Sequence, residues 1–145
     1  MFDGVGNRLQ LNYPGGRSVS YDPDELDRIK AIRSGAGVIA SYTYTGANRV
    51  KEHSSANGTN LSVQYDGVKR VVGYANGAVS RYEYAYDRMF NKLYEKRLHS
   101  GKRDDFSYDS LYRMVQYNKD AGLAGTNPAK SVAYTLDGVG NRTQV

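Results

Sequence analysis

The sequence contains no cysteine and no tryptophan, and only 3 of its 145 residues are proline. Without cysteine there is no disulfide framework, no thiolate metal site and no cysteine nucleophile. No segment approaches the roughly 18 consecutive apolar residues of a membrane-spanning helix, and Met1–Gly4 lacks the basic start and apolar run of a signal peptide. Zinc fingers and helical membrane proteins are therefore excluded, and the length is that of one domain.

Positive charge is in modest excess, with 20 Lys and Arg against 15 Asp and Glu, for a net charge of +5. The densest basic cluster, Lys92–Arg103, is interrupted by Glu95 and followed at once by Asp104 and Asp105. Elsewhere the basic residues stand singly, which is typical of a solvated surface. The charge pattern therefore does not favour nucleic-acid binding.

Tyrosine is abundant, with 14 residues, and it recurs in a motif of fixed period. Seven segments share an aromatic residue or Leu, then Asp or Thr, then a short turn, then a basic residue. In order these are Phe2, Asp3 and Arg8; Tyr21, Asp22 and Arg28; Tyr44, Thr45 and Arg49; Tyr65, Asp66 and Arg70; Tyr86, Asp87 and Lys92; Tyr108, Asp109 and Arg113; and Leu136, Asp137 and Arg142. The Asp or Thr positions are 19, 23, 21, 21, 22 and 28 residues apart, so the period is about 22. The long last spacing contains the polar, glycine-rich segment Lys119–Pro128, which is predicted to be a surface loop.

Each repeat has the pattern of a β-hairpin. Large side chains alternate with small or polar ones before the Asp, and an apolar residue follows the basic one in six of seven repeats. Between the two predicted strands, Asp can cap a turn in which we expect Gly4, Gly46, Gly67 and Gly138 to take positive φ. Asn57-Gly58 and similar pairs mark the returning turns. The fold class predicted is all-β: tandem antiparallel hairpins in one curved or spiralling sheet, open or closed like a barrel, with no substantial helix.

These motifs resemble the YD-repeat, or RHS-repeat, family. The residues that carry the resemblance are Tyr65–Val71, Tyr21-Asp22 with Leu26–Ile29, and Asp137–Arg142, and the repeat extends over essentially the whole chain. Thr45 and Leu136 depart from the motif, and Asn91-Lys92 replaces the single basic residue in the fifth repeat. In that family the hairpins join into shells around a toxic segment in bacterial toxins, and teneurins use a similar shell.

The resemblance implies a secreted or surface-displayed structural module rather than an enzyme. We expect residues 1–145 to be a single array from a larger protein, without catalytic residues, metal or cofactor. His53 and His99 are predicted to be solvated loop residues. The alternative is a module that binds carbohydrate or a cell surface through exposed tyrosines, which requires tyrosines such as Tyr13, Tyr74, Tyr94, Tyr112 and Tyr117 to cluster in the open.

Two further expectations concern packing and partners. The tyrosine before each Asp is predicted to stack on its counterpart one repeat away, giving a ladder of rings, with the basic side chain over a ring or at a turn Asp. The run Asp3–Arg8 recurs unchanged as Asp137–Arg142, so both ends offer the same half-repeat. Open strand edges therefore predict either ring closure or pairing with neighbouring repeats or another copy.

Overall fold

The computed structural model describes residues 1–144, and these residues form β-strands and turns without any helix, so none of them belongs to a helix that could cross a membrane. The absence of helix agrees with the sequence prediction. The strands are β1 (Gln10–Asn12), β2 (Ser18–Pro23), β3 (Ile29–Ser34), β4 (Gly37–Thr45), β5 (Arg49–Ser55), β6 (Asn60–Tyr65), β7 (Val71–Asn76), β8 (Ser80–Tyr86), β9 (Lys92–Arg97), β10 (Lys102–Tyr108), β11 (Met114–Gly122), β12 (Lys130–Ala133), β13 (Thr135–Leu136) and β14 (Arg142–Gln144).

The strand order follows the chain. β1 to β12 form one antiparallel sheet in sequence order, as expected for consecutive hairpins, and this confirms the predicted fold class. The order has two ends, so the described sheet is open and the barrel-like closure is not adopted. β13 and β14 pair with each other as a separate two-stranded sheet, so the seventh repeat stands apart from the single sheet that was predicted.

The chain divides into two compact units. The first consists of Met1–Gln64 with Ala75–Gly77, and the second of Tyr65–Tyr74 with residues 78–144. In the first unit, β2 to β5 are paired as antiparallel neighbours, with Tyr21 opposite Ile32. In the second unit, β8 to β12 form the corresponding run of paired strands.

Few side chains in either unit are fully buried. The buried apolar residues are Val19, Ala31, Val63 and Ala121, and the buried charged residue is Asp104. Within each unit, most of the aromatic rings are half-buried. Polar contacts between neighbouring strands therefore contribute a larger share of the stability here than in a domain with an extensive buried core.

Two local expectations differ from the structure. His53 lies within β5, opposite Tyr42, and the two rings stack with centroids 4.6 Å apart, so it is not a loop residue. The segment Lys119–Pro128, which the sequence suggests is a surface loop, begins as the end of β11, and its Ala121 is completely buried. His99 does lie in a turn, where its Nδ1 is 3.1 Å from the backbone of Arg81.

Candidate functional site

The most regular feature of the structure is a turn with an aspartate at its first position, here called the Asp turn. In the turn at Asp66, the Asp66 N–H donates to the Arg70 carbonyl at 2.9 Å, and the Lys69 N–H donates to the Asp66 carbonyl at 2.9 Å. Asp66 Oδ1 accepts the N–H groups of Val68 and Arg70 at 3.0 and 2.9 Å. The same arrangement occurs at Asp3, Asp24, Asp87, Asp109 and Asp137.

The fourth residue after each aspartate completes the turn through its side chain, and it is either arginine or asparagine. Arg70 Nε donates to Asp66 Oδ2 at 2.6 Å. Asn91 Nδ2 donates to Asp87 Oδ2 at 2.8 Å. The arginine form comprises the turns ending at Arg28, Arg70 and Arg113, and the asparagine form those ending at Asn7, Asn91 and Asn141.

This geometry corrects the motif in the second repeat. Tyr21 and Asp22 lie within β2, and the turn carboxylate that binds the Arg28 side chain is Asp24. Asp22 instead accepts a hydrogen bond from Arg33 Nε at 2.7 Å. The sequence motif therefore placed the turn aspartate of the second repeat two residues too early, at Asp22 and not at Asp24.

Three of the basic motif residues also stand one position beyond the turn. Arg8, Lys92 and Arg142 follow the asparagines that close the turns at Asp3, Asp87 and Asp137. Each of the three lies over a ring: Arg8 over Phe2, Lys92 over Tyr84 and Phe106, and Arg142 over Tyr134, at 5.2–5.9 Å from cation to centroid. In the third repeat, which lacks the aspartate, Thr45 pairs directly with Arg49 across the hairpin.

The left-handed backbone of the Asp turn falls at the third residue after the aspartate. That residue has a φ between 59° and 96° in all six turns: Gly6, Asp27, Lys69, Phe90, Tyr112 and Gly140. Of the four glycines predicted to take positive φ, Gly46 does so, with φ of 62°, whereas Gly4, Gly67 and Gly138 do not. Four of these six positions are not glycine, so the positions of the glycines in the sequence did not predict which residue of the turn has a positive φ.

In the three Asp turns of the arginine form, the arginine also connects its own turn to the next turn along the chain. Arg70 Nη1 donates to the Asp87 carbonyl at 2.7 Å, and Arg113 Nη1 donates to the Asp137 carbonyl at 2.9 Å. In the first unit, Arg28 Nη1 donates to the carbonyls of Gly46 and Ala47 at 2.8 and 2.9 Å. One guanidinium thus satisfies its own aspartate and the backbone of the following turn, so adjacent repeats are linked by charge-assisted hydrogen bonds.

The same arginines cover the motif tyrosines. The Arg28 guanidinium lies 4.4 Å from the centroid of Tyr44, and that of Arg70 lies 4.9 Å from Tyr86. The hydroxyl of Tyr44 donates to the Ile29 carbonyl at 2.7 Å, and that of Tyr108 to the Lys92 carbonyl at 3.0 Å. Basic side chains therefore do lie over neighbouring rings and reach turn aspartates, as expected.

The expected ring-on-ring ladder takes a different form. No ring pair in the described chain joins two of Tyr21, Tyr44, Tyr86 and Tyr108. The ring pairs that do form involve other residues: Tyr42 with His53, Tyr82 with Tyr74, Tyr84 and His99, and Phe106 with Tyr117. Tyr44 and Tyr86 each lie under the arginine of the preceding Asp turn instead, and the hydroxyls of Tyr44 and Tyr108 bind backbone carbonyls.

The turn carboxylates are held ionised by the bonds they accept. The side-chain hydrogen bond from Arg28, with its backbone N–H and that of Leu26, lowers the pKa of Asp24 to about 2. The side-chain amide of Asn141 likewise lowers the pKa of Asp137. Carboxylates with depressed pKa and saturated oxygens serve structure better than they serve proton transfer.

A second polar cluster lies in β9 to β11 and has no counterpart in the sequence motif. Asp104 is only 7% exposed. Its carboxylate accepts hydrogen bonds from both Nη atoms of Arg97, at 3.0 and 2.8 Å, and from the hydroxyl of Tyr117 at 3.0 Å. Asp120 supplies its backbone N–H to Asp104 at 2.8 Å and its carboxylate to Arg97 at 2.6 Å. The bidentate bond from Arg97 leads the causes that lower the pKa of Asp104 to about 2.

The tyrosines outside the motif do not form one open cluster. Tyr74 packs edge-on against Tyr82, and Tyr94 lies beneath Arg103 at 4.2 Å. Tyr117 stacks on Phe106 at 5.3 Å. Tyr13 and Tyr112 are the two exposed members of this group, at 45% and 52%. Most of the tyrosines that a sugar-binding surface would need are thus engaged in packing.

Comparison with known proteins gives likeness in structure alone. No protein-family model matches the sequence, and no curated protein matches it. Among solved structures, the fold matches a chain of the TcdB2-TccC3-Cdc42 complex, with a TM-score of 0.64, 17% identity and 94% of this chain covered. It also matches a chain of the Photorhabdus luminescens Tc holotoxin pore carrying a TccC3 mutation, with a TM-score of 0.62, 18% identity and 99% of this chain covered.

In each case the chain spans about 8% of the length of the solved chain that it matches. At 17–18% identity this likeness concerns the fold. The Asp turns, the sequential hairpin order and this likeness agree with one another. The chain therefore has the fold of a YD/RHS-repeat hairpin array, as its sequence motif predicted.

Proposed function

We propose that this chain is a non-enzymatic structural module that forms part of the wall of a secreted or surface toxin shell. The observation that carries the proposal is the repeated link from one turn to the next through Arg28, Arg70 and Arg113. Such links couple the second repeat to the third, the fourth to the fifth and the sixth to the seventh. Coupling of this kind is what a wall built from hairpins requires, because an isolated hairpin is marginal in water.

Two further observations support it. The solved chains of similar fold belong to toxin complexes and continue far beyond the length of this one. Many of the ionisable side chains make internal contacts: the turn aspartates accept backbone N–H groups, and His53 stacks on Tyr42. These contacts stabilise the turns and the sheet, which is the role expected of side chains in a structural wall.

A chimaera tests the proposal directly. In a shell chain of the TccC3-containing toxin, the hairpin segment equivalent to this fold is replaced by the present chain, and protection of the enclosed segment from protease is measured. We expect an assembled, protected shell. The variant Arg70→Met should weaken protection, because Arg70 connects two turns, whereas Arg17→Met should not, because Arg17 lies over Tyr13 and joins no two turns. Protection as poor as in a deletion chimaera would refute the proposal.

The alternative, a carbohydrate- or cell-surface-binding module, depends on exposed tyrosines. Tyr13 and Tyr112 are the candidates that the structure leaves open. Screening the purified chain against a glycan array tests this function separately. Binding that disappears in a Tyr13→Ala, Tyr112→Ala double variant would favour the alternative over the wall.

A further inference from the structure

Two asparagine-glycine pairs, Asn57-Gly58 and Asn76-Gly77, lie in the first unit, and each follows an alanine. An asparagine that precedes glycine can lose its side-chain amide, because the backbone nitrogen of a residue without a Cβ approaches the amide carbon closely. The two pairs have nearly the same local sequence. A difference between them in this chemistry must therefore come from the fold.

Asn57-Gly58 lies in the exposed turn between β5 and β6. Two backbone hydrogen bonds close this turn: the Ser55 N–H donates to the Thr59 carbonyl at 3.0 Å, and the Gly58 N–H donates to the Ser55 carbonyl at 2.9 Å. The bond that holds the Gly58 nitrogen joins residues of a single exposed turn. Its opening is a local event that separates no strands.

The side chain of Asn57 is held where the reaction requires it. Its Oδ1 accepts the backbone N–H of Thr59 at 3.0 Å. The ring of atoms closed by this bond contains the amide carbon of Asn57 and the nitrogen of Gly58, so the bond restricts rotation between these two reacting atoms. When the nitrogen adds to the amide carbon, negative charge develops on Oδ1, and a donor that already points at this oxygen stabilises the charge.

Asn76-Gly77 has a different environment. Asn76 is the last residue of β7 and is half-buried. The Gly77 N–H donates to the carbonyl of Asn60, the first residue of β6, at 2.7 Å. Because this bond joins two strands, the Gly77 nitrogen becomes free only when the end of the strand pair opens. The sheet therefore hinders at Asn76 the chemistry that the turn favours at Asn57.

We propose that Asn57 is a site of spontaneous modification, at which the folded chain converts its own asparagine to aspartate and isoaspartate. The Gly58 nitrogen attacks the amide carbon of Asn57, and the new N–C bond closes a succinimide ring. The bond from that carbon to Nδ2 breaks, and ammonia leaves with the proton of the Gly58 N–H. Water then opens the ring at either carbonyl, so position 57 gains a negative charge without any oxidant or reductant.

The two products affect the turn differently. Aspartate keeps a side-chain oxygen that can accept the Thr59 N–H, so the turn stays closed. Isoaspartate carries the backbone through its side chain, which inserts a methylene group into the main chain before Gly58. That insertion displaces the groups that form the two closing bonds. Accumulation of isoaspartate should therefore open this end of the hairpin formed by β5 and β6.

Incubation of the folded chain in mildly alkaline buffer, followed by peptide mapping with mass spectrometry, tests the proposal. An isoaspartyl methyltransferase identifies the isoaspartate peptides. We expect Asn57 to be converted roughly tenfold faster than Asn76, a difference of about one hydrogen bond to a neighbouring strand. In urea the fold is lost, and the two rates should become similar. A folded chain in which Asn57 stays unmodified or reacts no faster than Asn76, or a rate difference that persists in urea, overturns the proposal.

A glycine substitution tests the role of the attacking nitrogen. In Gly58→Ala the added Cβ hinders its approach, and conversion of Asn57 should slow roughly tenfold. Gly35→Ala is the matched control, because Gly35 also has a positive φ and a Cβ at either position meets no atom within 4 Å. It should leave the rate at Asn57 unchanged. Repeating both measurements in urea removes any effect of lost stability, and a Gly58→Ala chain that reacts as fast as Gly35→Ala there contradicts the proposed attack.

Discussion

The third position of the Asp turn at Asp66 allows a quantitative test, because an ordinary residue there occupies a conformation that suits glycine. Lys69 has φ of 76°, and its side chain is exposed. The left-handed region costs a residue with a Cβ ~1–2 kcal/mol. Glycine avoids that cost but loses more backbone entropy on folding, by ~0.5–1 kcal/mol.

We therefore expect Lys69→Gly to raise the free energy of unfolding by about 0.5–1 kcal/mol. At this chain length that corresponds to an increase in Tm of roughly 1–4 °C. Lys69→Ala is the matched control, because it removes the same side chain and keeps the Cβ, and it should change stability little. Gly67→Ala, two residues earlier in the same turn, is a second control: Gly67 lacks a positive φ and a Cβ there meets no atom within 4 Å, so alanine is tolerated.

Urea denaturation followed by circular dichroism measures these differences as shifts in midpoint at constant slope. Two results would refute the reasoning. If Lys69→Ala stabilises as much as Lys69→Gly, the side chain and not the backbone conformation is responsible. If Lys69→Gly destabilises the chain, the positive φ carries no significant cost in this turn.

Two further predictions concern hydrogen bonds. Because the pKa of Asp104 is lowered to about 2, its stabilising effect is complete above pH 4 and is lost as the pH falls toward 2. Asp104→Asn should therefore remove an acid-dependent contribution of roughly 2 kcal/mol to the free energy of unfolding, measured between neutral pH and pH 2. If the free energy of unfolding falls as steeply with acid in the variant as in the natural chain, the prediction is wrong. Tyr108→Phe removes the hydroxyl bound to the Lys92 carbonyl and should cost about 1 kcal/mol, whereas the exposed Tyr112→Phe should cost nothing measurable in the same experiment.

The hairpin order could be predicted from the sequence because it depends on local patterns. Alternation of large and small residues around Tyr84 and Tyr86 defines a strand, and Asp87 after it defines a turn. The second repeat was misaligned because Asp22 and Asp24 both follow an acceptable strand end. What separates them is the side chain four residues later: Arg28 fits Asp24, and the same spacing of Asp to Arg or Asn holds in all six turns.

The Asp104 cluster could not be found in this way. Its partners are Arg97 on one adjacent strand and Tyr117 with Asp120 on the other. The register that brings them together includes an irregularity between Arg103 and Asp105, where the pairing with β11 shifts. A contact that depends on register across three strands and on a bulge leaves no fixed spacing in the sequence.

Strand spacing also explains why the motif pairs a ring with a cation. Equivalent tyrosines in successive repeats are two strands apart, about 10 Å, whereas interacting rings need centroids about 4.5–7 Å apart. Direct stacking between them is therefore ruled out by geometry. A side chain from the turn between two such rings can fill the gap, and Arg28, which precedes β3, lies over Tyr44 at the end of β4. The arginine of an Asp turn therefore reaches a ring in the following repeat that the tyrosine of its own repeat is too far away to stack on.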